Sequence, residues 1–395
     1  MIEEKPVKVT HNEEIKGAIP TIAGTIAATI ADGSVDHFTD DDREFLKFHG
    51  CYQQDDRDLR KTGKKFIMMV RGRIPGGVMT SNQWRVFDDV SARYGNDTLR
   101  ITTRQSIQFH GILKSNLRWL IKGINESLLS TLSACGDVNR NVLAPPTPAY
   151  TKARDEVFAD CHRVALELAP KTNAYHSIWL DGVQLNLEEP QNKDFVDPLY
   201  GKTYLPRKFK TAFAIPPVND VDIFTNDLGY IAVVEKDQLV GYNVVVGGGM
   251  GRSHGNEATY PRLADVMGFI TRDQLIAVAK AVLTIHRDFG DRTDRKRARL
   301  KYLLDAWGLE KFMAAVEKEH GKPFTRLPLT ACAPRGPVAK HGHIGAHAQR
   351  QEGFSYVGIA VPVGRLGAAQ MKGLGAVASR FPGATLRLTV WQNLI

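Results

Sequence analysis

The alternation of apolar and polar positions is clearest over residues 99–111, LRITTRQSIQFHG. Read as a strand, with successive side chains on opposite faces, it puts Leu99, Ile101, Thr103, Ile107 and Phe109 together, with Gln105 the one misfit. Arg100, Thr102, Arg104, Ser106, Gln108 and His110 share the other face. That face holds two fixed cations, many donors and no acid. A solvated strand face would mix signs, so this one suits a large anionic partner.

The same reasoning orders the rest of the chain. Phe66 to Ile74, FIMMVRGRI, reads as a strand with Ile67, Met69, Arg71 and Arg73 on one face, ended by Pro75-Gly76-Gly77. Residues 81–94 read as a helix, with Ser81 as N-cap and Trp84, Phe87 and Val90 inward. A second helix over 115–132 follows the 99–111 strand, and a loop over 137–143, DVNRNVL, carries Arg140. Upstream, Ile22, Ile26 and Ile30 mark a short amphipathic helix, the acids at 40–42 open another, and 51–65 reads as an exposed charged connector.

Downstream, a helix is predicted over 151–168, strands over 174–180 and 211–215, and a hairpin of 231–235 with 241–246 around Lys236-Asp237. If residues 208–210 are extended, Lys208 and Lys210 share a face and Phe209 points inward. Helices are predicted over 271–289, 291–304 and 310–320, the middle one basic with a solvated face. Residues 328–353, rich in Gly, Ala, Pro and His, read as a linker.

After the linker the chain repeats itself. Residues 356–395 parallel 67–107, with Arg387 matching Arg100, Thr389 matching Thr102, Gln392 matching Gln105 and Leu394 matching Ile107; Trp391 replaces Arg104. The second copy stops inside its last strand, so the expectation is the front part of a longer protein. The implied plan is an arm (1–65), a first half-repeat (66–139), an α/β domain (140–327), the linker (328–353) and an incomplete second half-repeat (354–395).

Composition narrows the function. With 395 residues, 43% hydrophobic, 24% charged and a net charge of +9, the chain is globular and basic. Cys51, Cys135, Cys161 and Cys332 lack metal-site spacing and suit a reducing, cytoplasmic compartment. His341, His343 and His347 cluster without an acidic or cysteine partner and read as solvated loop residues, so no metal ligands are assigned. Neither a signal peptide nor a membrane span is read; residues 18–31 are too short and carry Pro20 and Gly24.

The candidate site is a convergence of cations from separate segments: Arg71, Arg100, Arg104, Arg140, Arg207, Lys208 and Lys210. Two partners could require it. One is a buried polycarboxylate cofactor, with Gln108 and His110 as further donors; the other is a small oxyanion substrate beside that cofactor, where lysine can give a proton. Gly247 to Gly251 follows a strand but fits neither GxGxxG nor a Walker loop; it reads as backbone approaching an anion. A non-catalytic basic module binding nucleic acid or a partner is the alternative, its nucleic-acid form disfavoured because aromatics do not interleave the cations.

The segments FHGCYQQDDRD (48–58), RGRIPGGVMT (71–80), LRITTRQSIQFHGILK (99–114), DVNRNVL (137–143), TYLPRKFKTAFAIPPVND (203–220), GGGMGRSHGN (247–256) and HRDFGDRTDRKRARLKY (286–302) resemble the sirohaem-dependent sulfite and nitrite reductases. The resemblance runs from about residue 24 to the end. It implies an α+β fold: a pseudo-symmetric pair of ferredoxin-like half-repeats plus an α/β sirohaem-binding domain, the C-terminal domain being absent. It implies six-electron reduction of sulfite to sulfide, or of nitrite, on sirohaem coupled to a 4Fe–4S cluster, fed by an NADPH-dependent flavoprotein or ferredoxin. By resemblance, Arg71, Arg140, Lys208 and Lys210 surround the substrate and supply protons. Arg100, Arg104, Gln108, His110 and Arg207 bind sirohaem carboxylates or sit just behind them. The cysteines that hold the family's cluster have no counterpart in this sequence, and the chain alone is expected to be inactive.

Overall fold

The structure is a computed structural model that describes residues 8–56, 58–148, 151–172, 178–180, 183–185, 195–325 and 343–395. Three helices, α1 (His11–Ala18), α2 (Ile26–Ala31) and α3 (Asp40–Phe48), lead into strands β1 (Cys51–Asp55), β2 (Phe66–Arg71) and β3 (Val78–Thr80). Then come α4 (Ser81–Tyr94), β4 (Thr98–Ile101), β5 (Ile107–Ile112), α5 (Lys114–Glu126) and α6 (Lys152–Glu167). A small pair, β6 (Ile178–Leu180) and β7 (Val183–Leu185), precedes β8 (Thr211–Ala214), β9 (Leu228–Glu235), β10 (Gln238–Val246) and β11 (Asp265–Thr271). Helices α7 (Leu275–Phe289), α8 (Leu300–Trp307) and α9 (Leu309–His320) follow, then β12 (Gly345–Ala348), β13 (Ser355–Gly358), β14 (Arg365–Gly367), α10 (Ala368–Ser379) and β15 (Thr385–Arg387).

Two sheets organise the site. One has five strands in the order β1-β2-β5-β4-β14; the other has four in the order β11-β10-β9-β8. The first buries Val70, Leu99, Ile101, Ile107, Phe109 and Leu366 in a core shared with Trp84 and Phe87 of α4 and Leu117 and Leu120 of α5. The second packs Tyr230, Tyr242 and Val244 in a core shared with α6 and α7.

The stretch expected as one strand over 99–111 is a hairpin. Its turn closes with Thr102 N–H donating to Ser106 O (2.8 Å) and Gln105 N–H to Thr102 O (3.1 Å). Gln105, the misfit of the alternation, is the turn residue with φ 47°. Its buried amide donates to Ala144 O (2.8 Å) and Leu388 O (2.9 Å) and accepts from Ala144 N–H (3.0 Å). A buried amide with three bonds can carry a turn that the hydrophobic pattern alone does not mark.

The repeat folds as a reciprocal pair. β14 pairs with β4, Arg365 opposite Arg100; β15 pairs with β3, Arg387 opposite Val78. These two pairings interchange equivalent positions of the copies, as a two-fold axis requires. The indole N–H of Trp84 on α4 donates to Met371 O on α10 (3.0 Å), which ties the two helices across that axis.

Other expectations change. Cys51–Asp55 is not an exposed connector but a sheet strand, with Cys51 fully buried. The basic run is not a helix throughout: only Leu300–Trp307 is helical, and before it Lys296 and Arg297 stay exposed while three arginines tie into the core. Arg292 pairs with Glu13, Arg295 forks onto Asp137 (2.7 and 3.1 Å), and Arg299 bonds Asp227 (2.7 Å). Within the expected linker, 345–348 form β12, paired with β13. His343 and His347 are not simply solvated, because His343 Nε2 meets Asp220 Oδ2 at 3.1 Å. Residues 174–177, 328–342, Cys332 and His341 lie outside the described residues.

Candidate functional site

The site forms where the open face of the five-stranded sheet meets the segments leading into β8. Residues directly opposite in paired strands project to the same face. Arg71 faces Gln108, Gln108 faces Arg100, and Arg100 faces Arg365. A row of three arginines and one amide therefore crosses four strands. Like charges placed opposite one another cost stability, so Arg100 and Arg365 make sense with an anion between or above them. Arg365 was not expected here, since the repeat aligns it with Val78; only the strand pairing reveals it.

Arg71 is the most constrained of the row. Its Nη1 donates to Cys135 Sγ (3.1 Å), its guanidinium lies 5.9 Å from the Tyr52 ring centroid, and the Gln108 amide, turned oxygen-first, accepts from its Nε (3.3 Å). His110 lies on the same face as Gln108 by strand alternation. Burial, then Arg100, Arg365 and Arg71, hold its imidazole below the usual range. It is therefore neutral near pH 7, and its buried Nε2 has no hydrogen-bond partner among the described residues.

The second wall comes from two segments running side by side. Arg140 N–H donates to Phe209 O (2.9 Å) and Phe209 N–H to Val138 O (3.1 Å). Phe209 is fully buried and lies 5.9 Å from the His286 ring. Its neighbours Lys208 and Lys210 thus take the other face, beside Arg140, in the alternation read from the sequence. Among the described residues neither ammonium has a hydrogen bond, and neither does the Arg207 guanidinium. Burial, then Arg140, Arg207 and Arg299, pull Lys208 down to about 8. Burial, then Arg104 and Arg299, pull Lys210 down to about 6. Arg207 is lowered by burial and then by Arg295. Arg140 itself is steadied by Gly136 O, at 3.3 Å from Nε and 3.2 Å from Nη2.

Arg104 sits at the hairpin tip and is spent on the protein. It donates to Asn141 O (3.1 and 2.7 Å), Thr211 O (2.8 Å) and Asn226 Oδ1 (2.7 Å). It locks the hairpin to the second wall, and burial lowers it to about 9. With Lys210, Asp222, Asn226, Trp391 and Gln392 it lines a cavity of about 370 Å³.

The glycine segment behaves differently from its sequence reading. The N–H groups of Gly247, Gly248 and Gly249 donate to Asp227 O, Asn226 O and Arg262 O, at 2.9, 2.9 and 2.7 Å, so they cannot cradle an anion. Lys301 Nζ instead donates to the carbonyls of Gly249 (3.1 Å), Gly251 (3.0 Å) and Tyr260, and Arg299 to Gly248 O (3.1 Å). The glycines permit close packing: a Cβ on Gly248 would collide with Phe224 O, and one on Gly249 with the Arg299 guanidinium.

Asp227, Arg299 and Arg365 join the site without having been expected. A single acid in an apolar run and single arginines in basic or glycine-rich runs carry no periodic signal. Among the described residues no three Cys, His, Asp or Glu side chains form a metal-binding group, and no helix is long and apolar enough to cross a membrane.

Comparison with known proteins agrees with this architecture. Residues 159–324 match the nitrite and sulphite reductase 4Fe-4S domain, and 59–127 and 347–395 match the nitrite/sulfite reductase ferredoxin-like half domain. The chain is 44% identical over 400 residues to the sulfite reductase (NADPH) hemoprotein beta-component of Myxococcus xanthus, covering 100% of this chain and 70% of that one. It is 42% identical over 393 residues to the protein of the same name from Xanthomonas euvesicatoria, covering 97% and 67%. The solved structure of Mycobacterium tuberculosis NirA shares the fold, with a TM-score of 0.76 at 24% identity over 99% of this chain and 66% of that one. The chain thus spans about two thirds of the length of these relatives. Matches to both kinds of domain, and relatives of this identity across nearly the whole chain, make it a member of the sirohaem-dependent nitrite and sulfite reductase family, on the sulfite reductase haemoprotein branch.

Proposed function

We propose that this chain carries the sulfite- and sirohaem-binding part of a sulfite reductase haemoprotein. The observation that supports it most is the set of unspent cations: the side chains of Arg100, Arg207, Lys208 and Lys210 make no hydrogen bond among the described residues, and the cross-strand row that holds Arg100 contains no acid. The donor set fits a many-carboxylate tetrapyrrole. Arg100, Arg207, Gln108 and the orphaned Nε2 of His110 would meet its carboxylates, with Arg104 bracing them from behind. Sirohaem held by these residues would supply the electron-transfer chemistry of the reduction.

Arg71, Arg140, Lys208 and Lys210 would hold sulfite. The two guanidiniums neutralise it and fix its orientation, as planar forks suit oxyanions. Lys208 and Lys210 are the proton donors, because burial and like charge bring ammonium groups toward neutral pH. The 4Fe–4S cluster finds no fit here: Cys51, Cys135 and Cys161 are buried free thiols and form no ligand group among the described residues. No residue described here is assigned to it. Free thiols are in keeping with a reducing cytoplasm. The Myxococcus and Xanthomonas relatives carry NADPH in their names, so a flavoprotein using NADPH is the electron donor proposed over ferredoxin.

The test separates the two walls. The chain loaded with sirohaem is followed by absorbance during gel filtration, then titrated with sulfite. R100E should lower sirohaem retention. R140A and K208A should keep it but lose the spectral response to sulfite. Full retention in R100E, or unchanged sulfite affinity in both other variants, would overturn the assignment.

A further inference from the structure

Asp227 stands just before β9, fully buried. Its Oδ2 accepts from the backbone N–H of Lys210 (3.0 Å) and from Arg299 Nη2 (2.7 Å). Its Oδ1 is also buried and has no hydrogen-bond partner among the described residues. A stranded buried carboxylate oxygen is costly, so its retention calls for a reason. The groups around it are nearly all positive. Lys208, Lys210, Arg104 and Arg299 stand in its field, and so do Lys301 from α8 and His286 from α7. Arg140 acts on Lys208 from the neighbouring segment. Among the described residues Asp227 is the acid acting most strongly on both lysines.

We propose that Asp227 is a positioning residue of this site, whose carboxylate is the counter-charge that strengthens the hold of Lys210 on its proton while no anion is bound. Buried cations need a nearby negative charge. An arriving oxyanion supplies one, and Asp227 stands in for it when the site is empty. Arg299 and the Lys210 backbone N–H fix the carboxylate through Oδ2, and Oδ1 is left without a hydrogen bond among the described residues. The importance of Lys210 rests on the sulfite reading above; the test does not.

The full chain is labelled with a trace of acetic anhydride across a pH series, and acylation of Lys210 is read by peptide mass spectrometry. In D227N the labelling midpoint should fall by at least about half a pH unit, roughly threefold in reactive amine at fixed pH. D227E should restore it. A midpoint in D227N equal to the parent's overturns the proposal. Should D227N not fold, R299Q is compared with the double variant R299Q/D227N, in which no buried charge of the pair is left stranded. A lower midpoint in the double variant supports the counter-charge role, and equal midpoints refute it. Failure of sulfite to protect Lys210 from acylation in the sirohaem-loaded parent counts against the substrate assignment alone.

Discussion

On the proposed assignment, Lys210 should make the site's anion affinity depend on pH in a direction that can be worked out beforehand. Its ammonium is lowered to about 6 by burial and then by Arg104 and Arg299, while Lys208 is lowered to about 8. A lysine with a lowered pKa is cationic below that value and loses its charge above it. In the empty site Lys210 therefore gives up its charge at lower pH than Lys208 does. If binding requires both ammoniums, affinity falls about tenfold per pH unit once the pH exceeds 6, and more steeply above 8. Sulfate is the probe, because its charge is constant over this range. The assay is isothermal titration calorimetry of the full chain between about pH 5.5 and 8.5 at constant ionic strength, since salt screens such contacts. In K210R the guanidinium stays charged throughout, so only the step near pH 8 should remain. Sulfate affinity that is flat or rising between pH 6 and 8, or a K210R profile identical to the parent's, would refute the reasoning.

Two further outcomes concern the frame around the site. Asp137 is buried and takes a forked Arg295 and Lys16 (3.3 Å); burial alone would raise its carboxyl, but these cations outweigh it and hold it well below the usual range. D137N should therefore cost about 3–5 kcal/mol at pH 7, read as a lower urea midpoint, and the cost should shrink as the pH falls below about 4, where the unfolded carboxyl takes up its proton; a pH-independent cost contradicts this. At the seam of the two half-repeats Gly77 has φ 69°, and a Cβ there would lie 2.7 Å from Gln105 Cβ and 2.9 Å from Leu388 O. G77A should destabilise by about 2–4 kcal/mol from backbone strain and overpacking together, and an unchanged urea midpoint would show that the seam is looser than described.

The amino-acid sequence by itself determined which segments are strands and helices wherever one face is apolar, because that periodicity is local. It marked the repeat, the alternation of Lys208, Phe209 and Lys210, and the cationic character of residues 100–110. It also carried enough family likeness to foretell the half-repeat fold. It misread the 99–111 turn because a buried glutamine, satisfied by Ala144 and Leu388, does the work usually marked by glycine or proline. It misread the basic run at 292–299 because the partners Glu13, Asp137 and Asp227 are far away along the chain, and an ion pair leaves no periodic trace. Only the tertiary structure decided which cations are spent and which are free. Arg104 and Arg299 are consumed by carbonyls and by Asp227, Arg365 enters the row through a strand pairing between the two copies, and the ammoniums of Lys208 and Lys210 have no hydrogen bond among the described residues. Charge is written in the sequence, but whether that charge is already compensated depends on what folds against it.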